Sequence, residues 1–267
     1  MLKIIDSHAH LIEANYADRI DEMVKNFKKD GLQSVFTVAY SNKTIKQCVE
    51  LANKYDSVYA IIGVHPDEIA DYSSETEKLL REFGKSEKVL AIGEIGLDYH
   101  GINPNLNVNQ IRNKQKEVFI SQLGIAHELE LPVVIHTRDA IEDTLTILES
   151  NKHLLGHGGI VHCFSEKYED YLRIKKLGFI VSIGGVLTFK NAKDLQAVYK
   201  KIDLKDIVLE TDCPYLTPEP LRGKCVNEPA FVKYVAEKLA DIKEAKLEDV
   251  IKQTNENIAR VFKKYKG

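Results

Sequence analysis

The 267-residue sequence has only four cysteines, and none has a partner at the short spacing of a zinc ribbon or of a disulfide framework. Cys48, Cys163, Cys213 and Cys225 lie far apart along the chain. They are therefore interpreted as reduced thiols, which favours a cytoplasmic location.

Long apolar runs and an excess of positive charge are also lacking. The apolar stretch before Asp6 is too short for a signal peptide, and no segment approaches membrane-spanning length. The formal net charge of -3 argues against a nonspecific polyanion binder, which needs a strongly basic face. Without a shift in composition or a low-complexity linker, residues 1–267 are expected to form a single domain.

Short runs rich in valine and isoleucine alternate with amphipathic segments along the whole chain. Continuous apolar runs indicate strands covered on both faces, as in a parallel sheet. The predicted strands are 3–6, 34–38, 58–64, 89–95, 133–136, 160–163, 179–183 and 207–210. Eight strand–helix units predict an α/β fold, a single (β/α)8 TIM barrel, regular or somewhat distorted. The pattern from Leu247 to Val261 predicts an extra C-terminal helix packed on the outside.

An open doubly wound sheet is the alternative fold. It has little support as a dinucleotide-binding domain, because no Gly-x-Gly-x-x-Gly motif follows the first strand.

His8 and His10 follow the first apolar run. Side chains alternate in direction along a strand, so two histidines two residues apart point the same way and can share a metal ion. By itself this motif is a weak signal, because such pairs occur often by chance.

Polar residues follow six of the eight predicted strands, at the end where parallel barrels place their catalytic groups. These strand ends contain His8 and His10, His65, Glu94 and Asp98, His136, His162, and Glu210 and Asp212. Taken singly, each is explained as a capped strand end or a hydrogen-bonded core histidine. Taken together, six desolvated polar groups cost free energy unless they are paired, and a shared metal cluster pairs them all.

Four histidines and two carboxylates are too many ligands for one catalytic zinc ion. We therefore expect two divalent ions, Zn²⁺, Mg²⁺ or Mn²⁺, with Glu94 between them. The predicted metal ligands are His8, His10, Glu94, His136, His162 and Asp212. Such a pair of ions activates water and clamps a phosphoryl or carbonyl group, and Asp212 is predicted to accept the proton of the water as general base.

Four further residues are predicted to contact the substrate. Arg222 and Lys224 flank Gly223 after strand eight, where barrels often bind phosphate, and Arg138 follows strand five. A solvated turn explains the Arg-Gly-Lys segment equally well. His65 is predicted to be a substrate contact rather than a metal ligand, although Gly-x-His-Pro also forms structural turns.

These residues resemble the motifs of the TatD family of metal-dependent deoxyribonucleases, within the wider amidohydrolase-like barrels. The matching segments are Asp6 to His10, Gly63 to Pro66, Ile92 to Tyr99, Leu131 to Ala140, His162 to Ser165 and Leu209 to Pro218. The resemblance implies a TIM barrel with two divalent ions. It implies that His8, His10 and Asp212 serve the first ion, that His136 and His162 serve the second, and that Glu94 is shared. It also implies 3′-to-5′ exonuclease action on DNA.

One loop departs from the family pattern. After Arg222-Gly223-Lys224, the residues Cys225 and Val226 precede Asn227, where the family usually has a single, often basic, residue. The loop is therefore longer by one residue and lacks one positive charge, which leaves the preferred substrate open.

The leading hypothesis is a two-metal nuclease whose partner is a DNA end. The alternative is a small-molecule hydrolase of amides, lactones or phosphoesters that uses the same binuclear centre. A non-catalytic scaffold would leave the metal ligands without a purpose. The sequence indicates no membrane association and no obligate protein partner, and the chain is expected to be a monomer or a weak oligomer.

Overall fold

Strands and helices alternate along nearly the whole molecule. The computed structural model describes residues 3–267, in which eight strands and nine α-helices are connected by loops and short 3₁₀ turns. The strands are β1 (Ile4–Ala9), β2 (Leu32–Val38), β3 (Val58–Ile62), β4 (Val89–Asp98), β5 (Val133–Arg138), β6 (Gly159–Val161), β7 (Phe179–Ile183) and β8 (Ile207–Leu209). The helices are α1 (Ile20–Asn26), α2 (Asn42–Lys54), α3 (Ser74–Phe83), α4 (Val108–Glu128), α5 (Ile141–Ser150), α6 (Tyr168–Lys176), α7 (Lys193–Lys201), α8 (Val232–Lys243) and α9 (Leu247–Val261).

The eight strands pair in the order of the chain, and every pair is parallel. A parallel bridge between Ala9 and Cys213 then joins the end of β1 to the segment that follows β8. A doubly wound sheet would instead reverse its strand order partway across. The predicted (β/α)8 barrel is therefore confirmed.

The strands bury apolar side chains on both faces, in keeping with their continuous valine and isoleucine runs. Ile5, Phe36 and Ile61 belong to one cluster, which fills the barrel, whereas Ile4 and Val35 belong to a second cluster that includes residues of the surrounding helices. Successive residues of a strand thus pack on opposite sides of the sheet. This two-sided burial rigidly fixes the strand ends from which the polar side chains project.

The predicted C-terminal helix is present as α9 and packs against the outer cluster through Val250 and Ile251, but its last turn and the residues after it also reach the interior of the barrel. Ile258 of α9 and Phe262, just beyond it, pack into the cluster that fills the barrel. The Phe262 ring lies 5.3 Å from that of Phe36, and the Tyr265 hydroxyl is 3.0 Å from Ser34 Oγ. Because Ser34 is near the start of β2, and Lys264 Nζ donates to Ser86 O just before β4, this segment closes the amino-terminal end of the barrel. The carboxyl end is left open.

The helices of the described chain are all peripheral to the barrel wall or its closed end. Among residues 3–267, no helix has both the length and the apolar character needed to cross a bilayer.

Candidate metal centre

A cleft of about 840 Å³ lies at the carboxyl end of the barrel. Its wall contains polar side chains from the ends of several different strands, among them His10, Glu94, His136, His162 and Asp212. Catalytic sites of parallel barrels occupy this end because the loops that follow the strands converge there. The fold therefore brings together residues that are more than 200 positions apart in the chain.

Glu94 is at the centre of this cleft, and its two carboxylate oxygens face different histidines. Oε1 lies 2.6 Å from His136 Nδ1 and 2.6 Å from His162 Nε2. Oε2 lies 3.3 Å from His8 Nε2 and 3.9 Å from His10 Nε2. The carboxylate thus separates two pairs of imidazoles, one pair for each oxygen.

Asp212 completes one of these two groups. Its Oδ1 lies 3.4 Å from His10 Nε2 and 3.8 Å from His8 Nε2. The ligand atoms of His8, His10 and Asp212 lie within 4.8 Å of one another, as do those of His8, Glu94 and His162. These two overlapping groups contain five of the six predicted metal ligands, and the sixth, His136, contacts them through Glu94 Oε1.

Hydrogen bonds between β1 and the chain after β8 hold Asp212 in position. Asp212 N donates to His8 O at 2.9 Å, and His10 N donates to Cys213 O at 2.8 Å. The buried Asp6 carboxylate accepts from Thr211 N at 2.9 Å and from Thr211 Oγ1 at 2.6 Å. Asp212 itself has φ of +55°, a conformation that aspartate tolerates better than most residues. The hydrogen bonds that close the barrel between β1 and the chain after β8 thus also hold His8, His10 and Asp212 in position.

Gly96 permits a close approach of β4 to β5 beside His136. Its φ is +148°, and a Cβ atom built on it would lie 1.9 Å from the carbonyl oxygen of His136. Any side chain at this position would therefore push the His136 backbone away from Glu94.

Two ligand rings are oriented by hydrogen-bond partners behind them, and a third has a carboxylate behind it. His136 Nε2 lies 3.0 Å from Asp98 Oδ2, so the ring presents Nδ1 to Glu94. His162 Nδ1 lies 3.4 Å from Oε1 of the fully buried Glu210, which is within ion-pair distance, but neither atom has a hydrogen-bond partner among residues 3–267. His10 Nδ1 lies 3.2 Å from Val38 O. Such partners fix the tautomer and the direction of metal-binding histidines.

The sequence pattern places Asp98 and Glu210 at strand ends but predicts no role for either residue. Both are buried, at 3% and 0% exposure, and each is an acidic residue at the end of an apolar strand. That combination is the signal in the sequence, because an isolated buried carboxylate is costly and needs a partner. Asp98 also forms a third close group with His65 and His136.

The chemistry of His8 fits a bound cation. The residue is 0% exposed, and within residues 3–267 neither of its ring nitrogens has a hydrogen-bond partner. Buried nitrogens left in this way cost free energy, which coordination of a metal ion by Nε2 would offset. Imidazole and carboxylate groups are the ligands of divalent transition metals. The described side chains thus form a cluster able to bind metal.

The charge state of Glu94 also favours the binding of a cation. Burial raises the pKa of the Glu94 carboxyl, but the neighbouring charges of His162 and His8 and the hydrogen bonds from His136 and His162 together hold this pKa well below its usual range. The carboxylate is therefore ionised and able to coordinate cations with both oxygens.

The four predicted substrate contacts are found in two different places. His65 and Arg138 line the cleft. Arg222 and Lys224 are not among the described residues of the cleft wall, and the Arg222 guanidinium lies over the Phe189 ring at 3.6 Å. Both side chains are exposed in the loop after β8. Their substrate role stays a prediction.

Comparisons with known proteins agree with this geometry. The family model described as TatD related DNase matches residues 5–263. An uncharacterized metal-dependent hydrolase of Bacillus subtilis, YabD, is 41% identical, with 97% of this chain and 99% of the relative covered. A 3′-5′ ssDNA/RNA exonuclease TatD of Escherichia fergusonii is 28% identical, with 97% and 98% covered. The crystal structure of YjjV, a TatD homolog from Escherichia coli, superposes with a TM-score of 0.89 at 25% identity, with 97% and 98% covered.

The contact between Asp98 and His136 predicts a role for Asp98 in metal affinity. Replacing Asp98 with alanine removes the acceptor that orients the His136 ring, and we expect the affinity for Zn²⁺ to fall about 10- to 100-fold. Competition with a chromophoric chelator measures this affinity. The matched control is Asp139→Ala, because Asp139 is exposed beyond β5 and pairs with His100 at 2.8 Å. Equal affinities in the Asp98 variant and the wild type would contradict the assignment.

Proposed function

The chain belongs to the TatD family of metal-dependent hydrolases, and from this we propose that it cleaves phosphodiester bonds with two divalent ions, as a 3′-to-5′ exonuclease acting on DNA ends. The observation that carries the proposal is the position of Glu94, whose Oε1 faces His136 and His162 and whose Oε2 faces His8 and His10. Relatives named as 3′-5′ ssDNA/RNA exonucleases support DNA as the substrate.

In this proposal the two groups of ligands hold one ion each. His8, His10 and Asp212 hold the first, His136 and His162 hold the second, and Glu94 contributes an oxygen to each. When bound, two such ions supply a nucleophile at neutral pH and neutralise the charge that develops on the phosphoryl group. The imidazole ligands favour Zn²⁺, whereas phosphodiester cleavage often uses Mg²⁺ or Mn²⁺.

Asp212 is proposed as the general base. Its Oδ1 faces the two ligand histidines of β1, so Oδ2 is the atom available to accept a proton from the attacking water. The left-handed backbone at Asp212 and its N–H bond to His8 O keep the carboxylate aimed at the centre of the cleft.

His65 is proposed to donate a hydrogen bond to the substrate. Asp67 N donates to His65 Nδ1 at 3.1 Å, so the proton of the neutral ring is on Nε2. Burial lowers the pKa of His65 to about 4, which keeps the ring neutral. Arg138, on the same wall of the cleft, is proposed to bind a phosphate oxygen.

The test of this mechanism is the Asp212→Asn substitution. Asparagine keeps an oxygen toward the metal but cannot accept the proton, so kcat for a single-stranded oligonucleotide is expected to fall about 10²- to 10⁴-fold. The control is Asp241→Asn on the exposed surface of α8, which should keep wild-type kcat. Circular dichroism checks that both variants fold. Wild-type turnover by folded Asp212→Asn protein would overturn the role of Asp212.

A second candidate substrate class is favoured by the charge of the cleft wall. Glu13, Asp67 and Glu68 line the cleft together with the metal ligands, and Arg138 is the one lysine or arginine among its described lining residues. Acidic side chains repel a polyanion. This wall therefore favours a small amide, lactone or phosphoester over a long nucleic acid, with the same binuclear centre.

The dependence of KM on salt concentration distinguishes a nucleic-acid substrate from a small-molecule substrate. If about three cationic side chains contact a single strand, log KM should rise with log salt with a slope of about 2, which is about a 15- to 20-fold increase between 50 and 200 mM. The slope for methyl 4-nitrophenyl phosphate should be close to zero. Steady-state kinetics with both substrates measures the difference. A flat response for the oligonucleotide would favour the small-molecule hydrolase.

A further inference from the structure

Tyr215 is an unusual exposed residue at the edge of the cleft. Its side chain is 52% exposed, and among the large hydrophobic side chains exposed in residues 3–267 it alone is aromatic. It also lines the cleft, which Leu106, Ile120 and Leu172 do not. Tyrosine has an apolar ring and a polar hydroxyl, and it is enriched at binding interfaces.

The order of the strands places Tyr215 and Tyr40 on opposite sides of His10. His10 follows β1, whose neighbours in the closed barrel are β2, followed by Tyr40, and β8, followed by Tyr215. Both tyrosine rings lie 5.9 Å from the His10 ring, at interplanar angles of 64° and 69°. The proposed ligand of the first ion is therefore flanked by two aromatic rings.

The backbone of Tyr215 is held rigidly, although its ring is exposed. Asn227, which is 0% exposed, donates from Nδ2 to Tyr215 O at 2.5 Å and to Thr211 O at 2.9 Å. Tyr16 donates from its hydroxyl to Asn227 O at 2.5 Å. The one-residue lengthening of the loop at Cys225 and Val226 thus leaves this anchor in place. A fixed backbone restricts where the ring can lie, and tyrosine has only two side-chain torsions to order when a planar ligand stacks on it.

We propose that the rings of Tyr215 and Tyr40 form a stacking site for the nucleobase of the terminal nucleotide, next to the phosphodiester that is cleaved. This inference rests on the proposed phosphodiesterase function and specifies its substrate contact. Aromatic rings stack on any base because every base has a π-face, so the site selects for the presence of a base rather than for its identity. Stacking also gives affinity for the substrate that does not depend on the charge of its phosphate, which matters in a cleft lined by acidic side chains.

Two substrates that differ only in the base test this proposal. One is the 4-nitrophenyl ester of thymidine 5′-monophosphate, and the other is the same ester of 1,2-dideoxyribose 5-phosphate, which has no base. The measured quantity is the ratio of their kcat/KM values. Stacking is expected to raise this ratio about 5- to 150-fold in the wild type.

Variants at Tyr215 test whether its aromatic ring causes the higher kcat/KM of the ester that carries a base. Tyr215→Ala should lower the ratio about 5-fold or more, because only the Tyr40 ring then remains, whereas Tyr215→Phe should keep the wild-type ratio, because stacking needs the ring and not the hydroxyl. The control is Leu172→Ala on α6, an exposed apolar side chain outside the cleft, which should keep the wild-type ratio. Calorimetric affinities for thymidine 5′-monophosphate and for 1,2-dideoxyribose 5-phosphate give the same comparison without turnover.

The outcomes separate this proposal from the function on which it rests. Hydrolysis of both esters at equal kcat/KM by the wild type keeps the phosphodiesterase and overturns the stacking site. An unchanged ratio in Tyr215→Ala, or an equal loss in Tyr215→Phe, also overturns it. If the wild type hydrolyses neither ester in the presence of Zn²⁺, Mg²⁺ or Mn²⁺, both proposals fail together.

Discussion

The Glu94 carboxylate is 3% exposed and is surrounded by the rings of His8, His136 and His162 at 2.6 to 3.3 Å. A buried charge of this kind is costly without compensation, and the cost is offset only where opposite charges surround both of its oxygens. The histidines supply part of that compensation, and two cations would supply the remainder. Behind these rings, Asp98 orients His136 toward this carboxylate, and the Glu210 carboxylate lies 3.4 Å from His162.

Barrel closure and site assembly depend on the same few hydrogen bonds. The bonds between Asp212 N and His8 O and between His10 N and Cys213 O join the first and last strands, and their residues include three metal-ligand candidates. At the opposite end, Phe262 fills the barrel against Phe36. The rigid barrel therefore closes at one end and presents polar side chains at the other, which pre-organises the ligands before any ion binds.

The sequence predicted the barrel and the positions of the ligand candidates because both depend on local patterns, namely apolar strand runs and the polar residues directly after them. The orienting role of Asp98 and the contact of Glu210 with His162 were not predicted, since they depend on distances between side chains of different strands. The packing of Phe262 into the barrel and of Arg222 onto Phe189 depends on tertiary contacts of a chain end and a loop. The helical pattern and the charge of these segments do not encode such contacts.

The metal content of the purified protein tests the central role of Glu94 most directly. After loading with Zn²⁺ and dialysis, atomic emission spectroscopy should find two ions per chain in the wild type and in Glu256→Ala, a control on the exposed face of α9. Glu94→Ala should lose at least one ion, because the proposed centre has Glu94 as a ligand of both ions. Two ions retained by Glu94→Ala, or none bound by the wild type, would contradict the account.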